Sequence, residues 1–98
     1  MEFAEPYKLD FTVYTKSGCR NCSKVKALLD EYDFNYSLID CDEYLLDHRD
    51  DFLRFMCEKA EFDIKSFPMV FHDGVYIGGY QEVKIYVETF LSFFWKMN

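Results

Sequence analysis

Hydrophobic and polar positions alternate along this chain in blocks whose period changes. Residues 9–15, LDFTVYT, are short, β-branched and aromatic, which predicts a strand ending at the turn signal Ser17-Gly18. Cys22, Val25, Leu28, Leu29 and Tyr32 then recur at the spacing of one helical face, with Lys24, Lys26, Asp30 and Glu31 opposite. Residues 34–40, FNYSLID, predict a second strand after a break at Tyr32-Asp33. Leu45, Phe52, Leu53, Met56 and Ala60 mark one longer amphipathic helix, with Asp47, Arg49, Asp50 and Glu58 outward. FPMVF and VYIGG read as two strands joined through His72-Asp73-Gly74, and Asp-Gly is a strong hairpin signal. Val83, Val87, Phe90, Leu91 and Phe94 again repeat at helical spacing.

The predicted order is therefore β-α-β-α-β-β-α. Two strands joined through a helix are expected to pair in parallel, and a hairpin pairs antiparallel. The expectation is an α/β fold, a small four-stranded mixed sheet flanked by helices. No repeat, low-complexity tract or linker interrupts it, and 98 residues suit one domain spanning 1–98, with its core in 9–94.

Composition narrows the function. Half the residues are hydrophobic and 20% aromatic, enough for a packed core. The formal net charge of −7 argues against a nucleic-acid partner, whose phosphates recruit basic surfaces. No apolar run approaches the roughly 20 residues of a membrane span, and MEFAEPYKLD carries glutamates where a secretory leader carries basic residues. A cytoplasmic, reducing location is the expectation. There a close pair of cysteines is catalytic or metal-binding more often than a stable staple.

Such a pair stands in TKSGCRNCSKVK, residues 15–26. Three uses are open to Cys19 and Cys22: a structural disulfide, a metal site, or electron exchange. A closed zinc site wants four ligands, commonly as two tight pairs. Cys41 and Cys57 fall apart on different predicted elements and neither histidine stands close to another candidate, so no metal ligands are assigned. Position favours the third use. Cys19 falls where a strand turns into a helix, beside unpaired backbone N–H groups whose dipoles favour a thiolate, with Lys16 and Arg20 adding positive charge. Cys22, one turn later, can reach the same sulfur, and Cys-x-x-Cys within a strand-helix-strand pattern reads as redox chemistry.

Three separated motifs, KSGCRNC, SFPMVF and GVYIGGYQE, resemble those of glutaredoxins within the thioredoxin fold, in the same order and across most of the chain. The resemblance implies a glutathione-dependent thiol–disulfide oxidoreductase, with Cys19 attacking disulfides and Cys22 resolving protein mixed disulfides. It makes Pro68 the family's cis-proline, presenting the Phe67 backbone to a bound peptide. Gly78-Gly79 with Tyr80 and Gln81 corresponds to the loop into the last helix that takes the γ-glutamyl carboxylate of glutathione, and Lys16 and Lys65 fall where cations meet its other carboxylate. Glutathione is then the reducing cosubstrate, with no tightly bound cofactor. The implied partners are protein disulfides, ribonucleotide reductase among those the family serves, and a monomer is expected.

The pair departs from the family's commonest one, which encloses Pro-Tyr where this chain has Arg20-Asn21. Some members without that proline ligate an iron–sulfur cluster together with glutathione, so a cluster carrier is the alternative reading. Reduction by a thioredoxin-type reductase is another. Gly18 before Cys19 argues against a thioredoxin proper. Cys41 and Cys57 read as small apolar side chains, and His48 and His72 as surface or turn histidines. The tail FLSFFWKM has more aromatics than one helix face can bury; Trp95 is expected to pack on MEF, with a self-association patch as the lesser reading.

Overall fold

The computed structural model describes residues 2–97, and side chains for residues 2–93. Its elements are β1 (Phe11–Thr15), α1 (Arg20–Glu31), β2 (Tyr36–Asp40), α2 (Asp42–Asp47), α3 (Arg49–Ala60), β3 (Met69–His72), β4 (Val75–Gly78) and α4 (Tyr80–Met97). The four strands form one sheet in the order β2-β1-β3-β4. β1 pairs in parallel with β2, Phe11 opposite Tyr36, and antiparallel with β3, Phe11 opposite His72. The β3–β4 hairpin turns on Asp73 and Gly74, both at positive φ, the conformation a two-residue hairpin turn requires.

Side-chain alternation along the central strands feeds two cores, one on each face of the sheet. Phe11 and Val13 of β1 and Val70 of β3 pack with Val25, Leu28 and Leu29 of α1 and Val83 and Val87 of α4. Tyr14, Met69 and Phe71 point the other way, onto Phe52 and Met56 of α3, with Ile39 and Cys41 at the end of β2. Burial on both faces explains why β1 and β3 read as continuous apolar runs rather than alternating ones. Residues 2–7 cross the second face: Phe3 meets Tyr44 and Phe52 edge-on at 5.0 and 5.4 Å, and the Tyr14 hydroxyl donates to the Ala4 carbonyl at 2.5 Å.

Three expectations are corrected. The long amphipathic helix is two, broken at His48 (φ −142°, ψ 40°), whose N–H closes α2 on the Tyr44 carbonyl and whose own carbonyl accepts the Phe52 N–H. Asp50 and Asp51 then lie in the first turn of α3, where carboxylates complement the positive end of a helix, and Asp47, Arg49, Asp50 and Glu58 are exposed as the outward positions expected. Tyr32 caps α1 and is exposed instead of completing its buried stripe. His72 adjoins the hairpin turn, as expected, but is half-buried rather than on the surface: its ring stacks on Phe11 at 4.3 Å, and its Nδ1 lies 2.6 Å from the Tyr86 hydroxyl. The expected packing of the Trp95 side chain lies outside the described residues. No helix among the described residues is long and apolar enough to cross a membrane.

Candidate active site

At the end of β1 the chain leaves the sheet through Lys16, Ser17 and Gly18 and enters α1 one residue later. Gly18 has φ +72°, a left-handed conformation that costs a glycine little, and it turns Cys19 onto the end of the helix. Cys19 is the N-cap, in extended conformation, and its Sγ accepts the Cys22 N–H at 3.1 Å. The two sulfurs are joined in a disulfide, with Cα atoms 5.2 Å apart. Accessibility distinguishes them: Cys19 is partly exposed, whereas Cys22 retains 3% of its surface and sits on the buried stripe of α1. One sulfur is therefore open to solvent and the other lies behind it.

Two adjoining depressions flank the disulfide. The first, of about 530 Å³, is lined by Lys16, Ser17, Gly18, Cys19, Arg20, Cys22 and Lys26. The second is a groove of about 430 Å³ lined by Asn21, Lys65, Phe67, Pro68, Gly79, Tyr80 and Gln81 among others. The expected binding residues thus divide, with Lys16 beside the cysteines and Lys65, Phe67, Pro68, Gly79, Tyr80 and Gln81 together in the groove. Lys16 bridges the two, its Nζ lying 5.6 Å from the centre of the Phe67 ring. The Phe67–Pro68 bond is cis, and Pro68 is buried at the groove floor.

Three contacts had no place in the sequence reading. Asp42, at the start of α2, accepts the Ser17 N–H at 2.8 Å and also the Ser17 hydroxyl. Those two hydrogen bonds, with the Lys16 charge behind them, hold its carboxyl below the usual carboxylate range. Glu82 reaches back to the Gly79 N–H at 2.8 Å, so the first helix-start donor of α4 is already capped from within the chain, and the Tyr80 and Gln81 N–H groups follow it. The spacing Gly79-x-x-Glu82 is that of a capping box and was there to be read. Lys24 stands over the Tyr80 ring at 5.6 Å, tying α1 to the rim of the groove.

The other cysteines are set apart from this site. Cys41 is fully buried, and its thiol is pushed up to about 12, chiefly by burial and then by the Asp40 charge. Cys57 donates to the Ile64 carbonyl at 3.2 Å and accepts the Ile64 N–H at 3.3 Å, stitching the end of α3 to the chain that follows. Among the described residues no cluster of three or more metal-ligating side chains occurs.

The glutaredoxin family model matches residues 11–77. Over 67 residues the chain is 31% identical to glutaredoxin 1 of Rickettsia felis and 33% identical to that of Rickettsia conorii; each alignment covers 68% of this chain and 61% of the relative's length. Among solved structures it is similar to glutaredoxin 1 from Francisella tularensis in complex with cacodylate, with a TM-score of 0.73 and 28% identity over 84% of this chain and 95% of that one. It is also similar to the buckwheat glutaredoxin–glutathione complex, with a TM-score of 0.67 and 26% identity over 81% of this chain and 68% of that one.

Proposed function

Because the chain belongs to the glutaredoxin family, we propose that it is a glutathione-dependent thiol–disulfide oxidoreductase in which Cys19 attacks and Cys22 resolves. The reading rests on the placement of Cys19: partly exposed, at a helix N-terminus, joined to a buried Cys22, and bordering the groove of Phe67, Pro68, Gly79 and Tyr80. In the dithiol form the same cap geometry offers the Cys22 N–H and the positive end of α1 to a Cys19 thiolate, which favours ionisation.

The Cys19 thiolate attacks one sulfur of a substrate disulfide; that bond breaks, a Cys19–substrate disulfide forms, and the expelled thiolate takes a proton. Cys22, losing its proton, attacks Cys19 Sγ, which frees the substrate's second thiol and leaves the Cys19–Cys22 disulfide present in this structure. Two glutathione molecules then restore the dithiol and leave as glutathione disulfide. Where the substrate is itself a glutathione mixed disulfide, Cys19 takes the glutathionyl group and a second glutathione removes it.

The groove supports the glutathione assignment by its chemistry. Lys65 within the groove and Lys16 beside it offer cations, and the start of α4 offers N–H groups, for a ligand bearing two carboxylates. A relative of similar fold is known as a glutathione complex. The test is turnover of a small glutathione mixed disulfide coupled to glutathione reductase. Glutathione-dependent turnover that vanishes in Cys19→Ser is expected. Turnover with thioredoxin reductase but none with glutathione overturns the assignment of the reductant.

A further inference from the structure

Charge is divided unevenly along this acidic chain. Residues 15–29 contain Lys16, Arg20, Lys24 and Lys26 and no carboxylate, whereas the remaining seven cations stand against all eighteen carboxylates. The segment that carries the two cysteines is therefore +4 and the rest of the molecule −11.

The fold gathers these cations around the disulfide instead of dispersing them. Lys16, Arg20 and Lys26 line the depression that holds Cys19 and Cys22. Lys24 stands at the Tyr80 edge of the neighbouring groove, and Lys65 lies within it. Among the carboxylates bordering this surface, Asp42 accepts from Ser17 and Glu82 from the Gly79 N–H, while Asp63 lines the groove together with Lys65. Among the described residues the Lys and Arg ion pairs are Arg54–Asp51 and Lys59–Glu5, both remote from the cysteines in sequence and outside either depression. Lys16, Arg20, Lys24 and Lys65 are exposed and Lys26 is half-buried, and none of the five has an ion-pair partner among the described residues.

We propose that this surface selects protein substrates whose disulfide is flanked by acidic residues. The proposal rests on the oxidoreductase reading above and names the substrate class for that same site. A positive rim steers an anionic partner toward Cys19, and the −11 remainder repels it from unproductive faces; both act mainly on the rate of encounter. The chemistry at sulfur is unchanged: the substrate disulfide gains two electrons and two protons, and the Cys19–Cys22 pair becomes the disulfide.

The experiment uses the intact protein with saturating glutathione and glutathione reductase. Three disulfide-cyclised peptides differ only in their flanks, which are aspartate, serine or lysine. At low salt kcat/KM is expected to fall from the aspartate to the serine to the lysine peptide, by roughly tenfold or more across the series. The spread is expected to close as salt shortens the screening length to about 3 Å at 1 M. In the Lys24→Glu, Lys26→Glu protein the aspartate peptide should lose more of its kcat/KM than the serine peptide, so that the ratio of the two falls to one or below. The milder Lys24→Gln, Lys26→Gln pair, with thermal melting as a fold check, should show half of that effect or more. Equal kcat/KM for aspartate and lysine peptides at low salt overturns the selectivity and leaves the oxidoreductase reading standing. No turnover of any peptide overturns that reading, and the selectivity with it.

Discussion

Ser17 gives both its backbone N–H, at 2.8 Å, and its hydroxyl to the carboxylate of Asp42, which lies 25 residues further along the chain. The contact joins the turn before Cys19 to the start of α2. Ser17 and Gly18 separate Cys19 from the sheet, so the orientation of Cys19 depends on a turn held from one side by a single acidic side chain.

Asp42 is accordingly expected to act as a positioning residue. Asp42→Ala should lower kcat/KM by roughly two- to tenfold, the size of a net hydrogen bond lost. Asp42→Asn, which can still accept the Ser17 N–H and donate to its hydroxyl, should recover most of that loss. The melting temperature should hardly move, because the pair is exposed. The Asp42 carboxyl is lowered by the Ser17 hydrogen bonds first and Lys16 next. A lowered folded value means that the contact is present above the ordinary carboxylate range and is lost as pH falls through the lowered one. A pH–rate profile at neutral pH should therefore show no inflection from Asp42. A loss in Asp42→Asn equal to that in Asp42→Ala would mean that charge, and not the clamp, is what matters.

Much of the fold and part of the site are legible in the sequence, for physical reasons. The strands were readable because β1 and β3 bury both faces, and the hairpin because Asp73-Gly74 fits its turn. Cys19 could be placed at a helix start because Gly18 and the polar run after it punctuate the strand. The break at His48 was hidden: Leu45 and Phe52 are seven residues apart, a spacing that one continuous helix also satisfies, and only packing of Phe3 and Tyr44 against Phe52 distinguishes the two. The roles of Asp42 and His72 depend on partners 25 and 14 residues away, which no local pattern reports. The groove residues Lys65, Phe67, Pro68, Gly79, Tyr80 and Gln81 were assembled from motif resemblance, since spacing alone does not bring residues 65–68 and 79–81 to one surface.

Reactivity should rank the cysteines by environment. In the reduced protein at neutral pH, brief iodoacetamide treatment followed by mass mapping should modify Cys19 first. Cys41, buried and with its thiol pushed up to about 12, should stay unmodified until the protein unfolds. Equal early labelling of Cys19 and Cys57 would remove the case for Cys19 as the nucleophile.

The same burial gives an alkaline limit to stability. Cys41 is raised from 9.0 to about 12 by burial and then by Asp40, and burial likewise raises the Tyr14 hydroxyl. Between those values the unfolded thiol has lost its proton and the folded one has not, so the folded state binds more protons and stability declines as pH rises from about 9 toward 12. Urea midpoints measured at successive pH values should fall across that window, and Cys41→Ala should flatten the decline. A midpoint constant from pH 8 to 11 would show that the buried thiol titrates as it does in water.

Gly78 offers a test of the α4 start. Its φ is +140°, and a Cβ added there would come within 2.6 Å of the Glu82 Cβ and 2.9 Å of the oxygen that caps Gly79. Gly78→Ala should therefore cost about 1–3 kcal/mol of stability, as crowding of a packed site does. It should also raise the KM for glutathione, because Glu82 and the helix start must shift together. Chemical denaturation and steady-state kinetics read the two effects separately; a stable variant with unchanged KM would place glutathione away from this loop.

The two lysines assigned to glutathione occupy different depressions, Lys16 with the cysteines and Lys65 in the groove, yet Lys16 reaches the Phe67 ring that lines the groove. Both are exposed, and exposed charge contacts are weak, so either alanine variant should raise the KM for glutathione by no more than about fivefold. Lys16→Ala, Lys65→Ala should raise it further with kcat little changed. An unchanged KM in the double variant would leave both as solvated bystanders.

Cys22→Ser separates the uses to which a close cysteine pair can be put. Cys22 is buried behind Cys19 and bonded to it, so serine at this position removes the internal attacker while leaving the outer sulfur on its helix cap. If glutathione itself discharges a glutathionylated Cys19, reduction of a small glutathione mixed disulfide should survive in this variant. Reduction of a protein disulfide should fall sharply, and a Cys19-linked mixed disulfide should accumulate, visible by mass. A structural staple predicts a different loss: about 2–4 kcal/mol of stability, the usual effect of removing a disulfide. The expected variant is folded, active toward the glutathionylated substrate and stalled on the protein one. A folded Cys22→Ser protein with no activity toward either would mean that Cys19 cannot work without its neighbour, and the two-stage division of labour between these sulfurs would have to be abandoned.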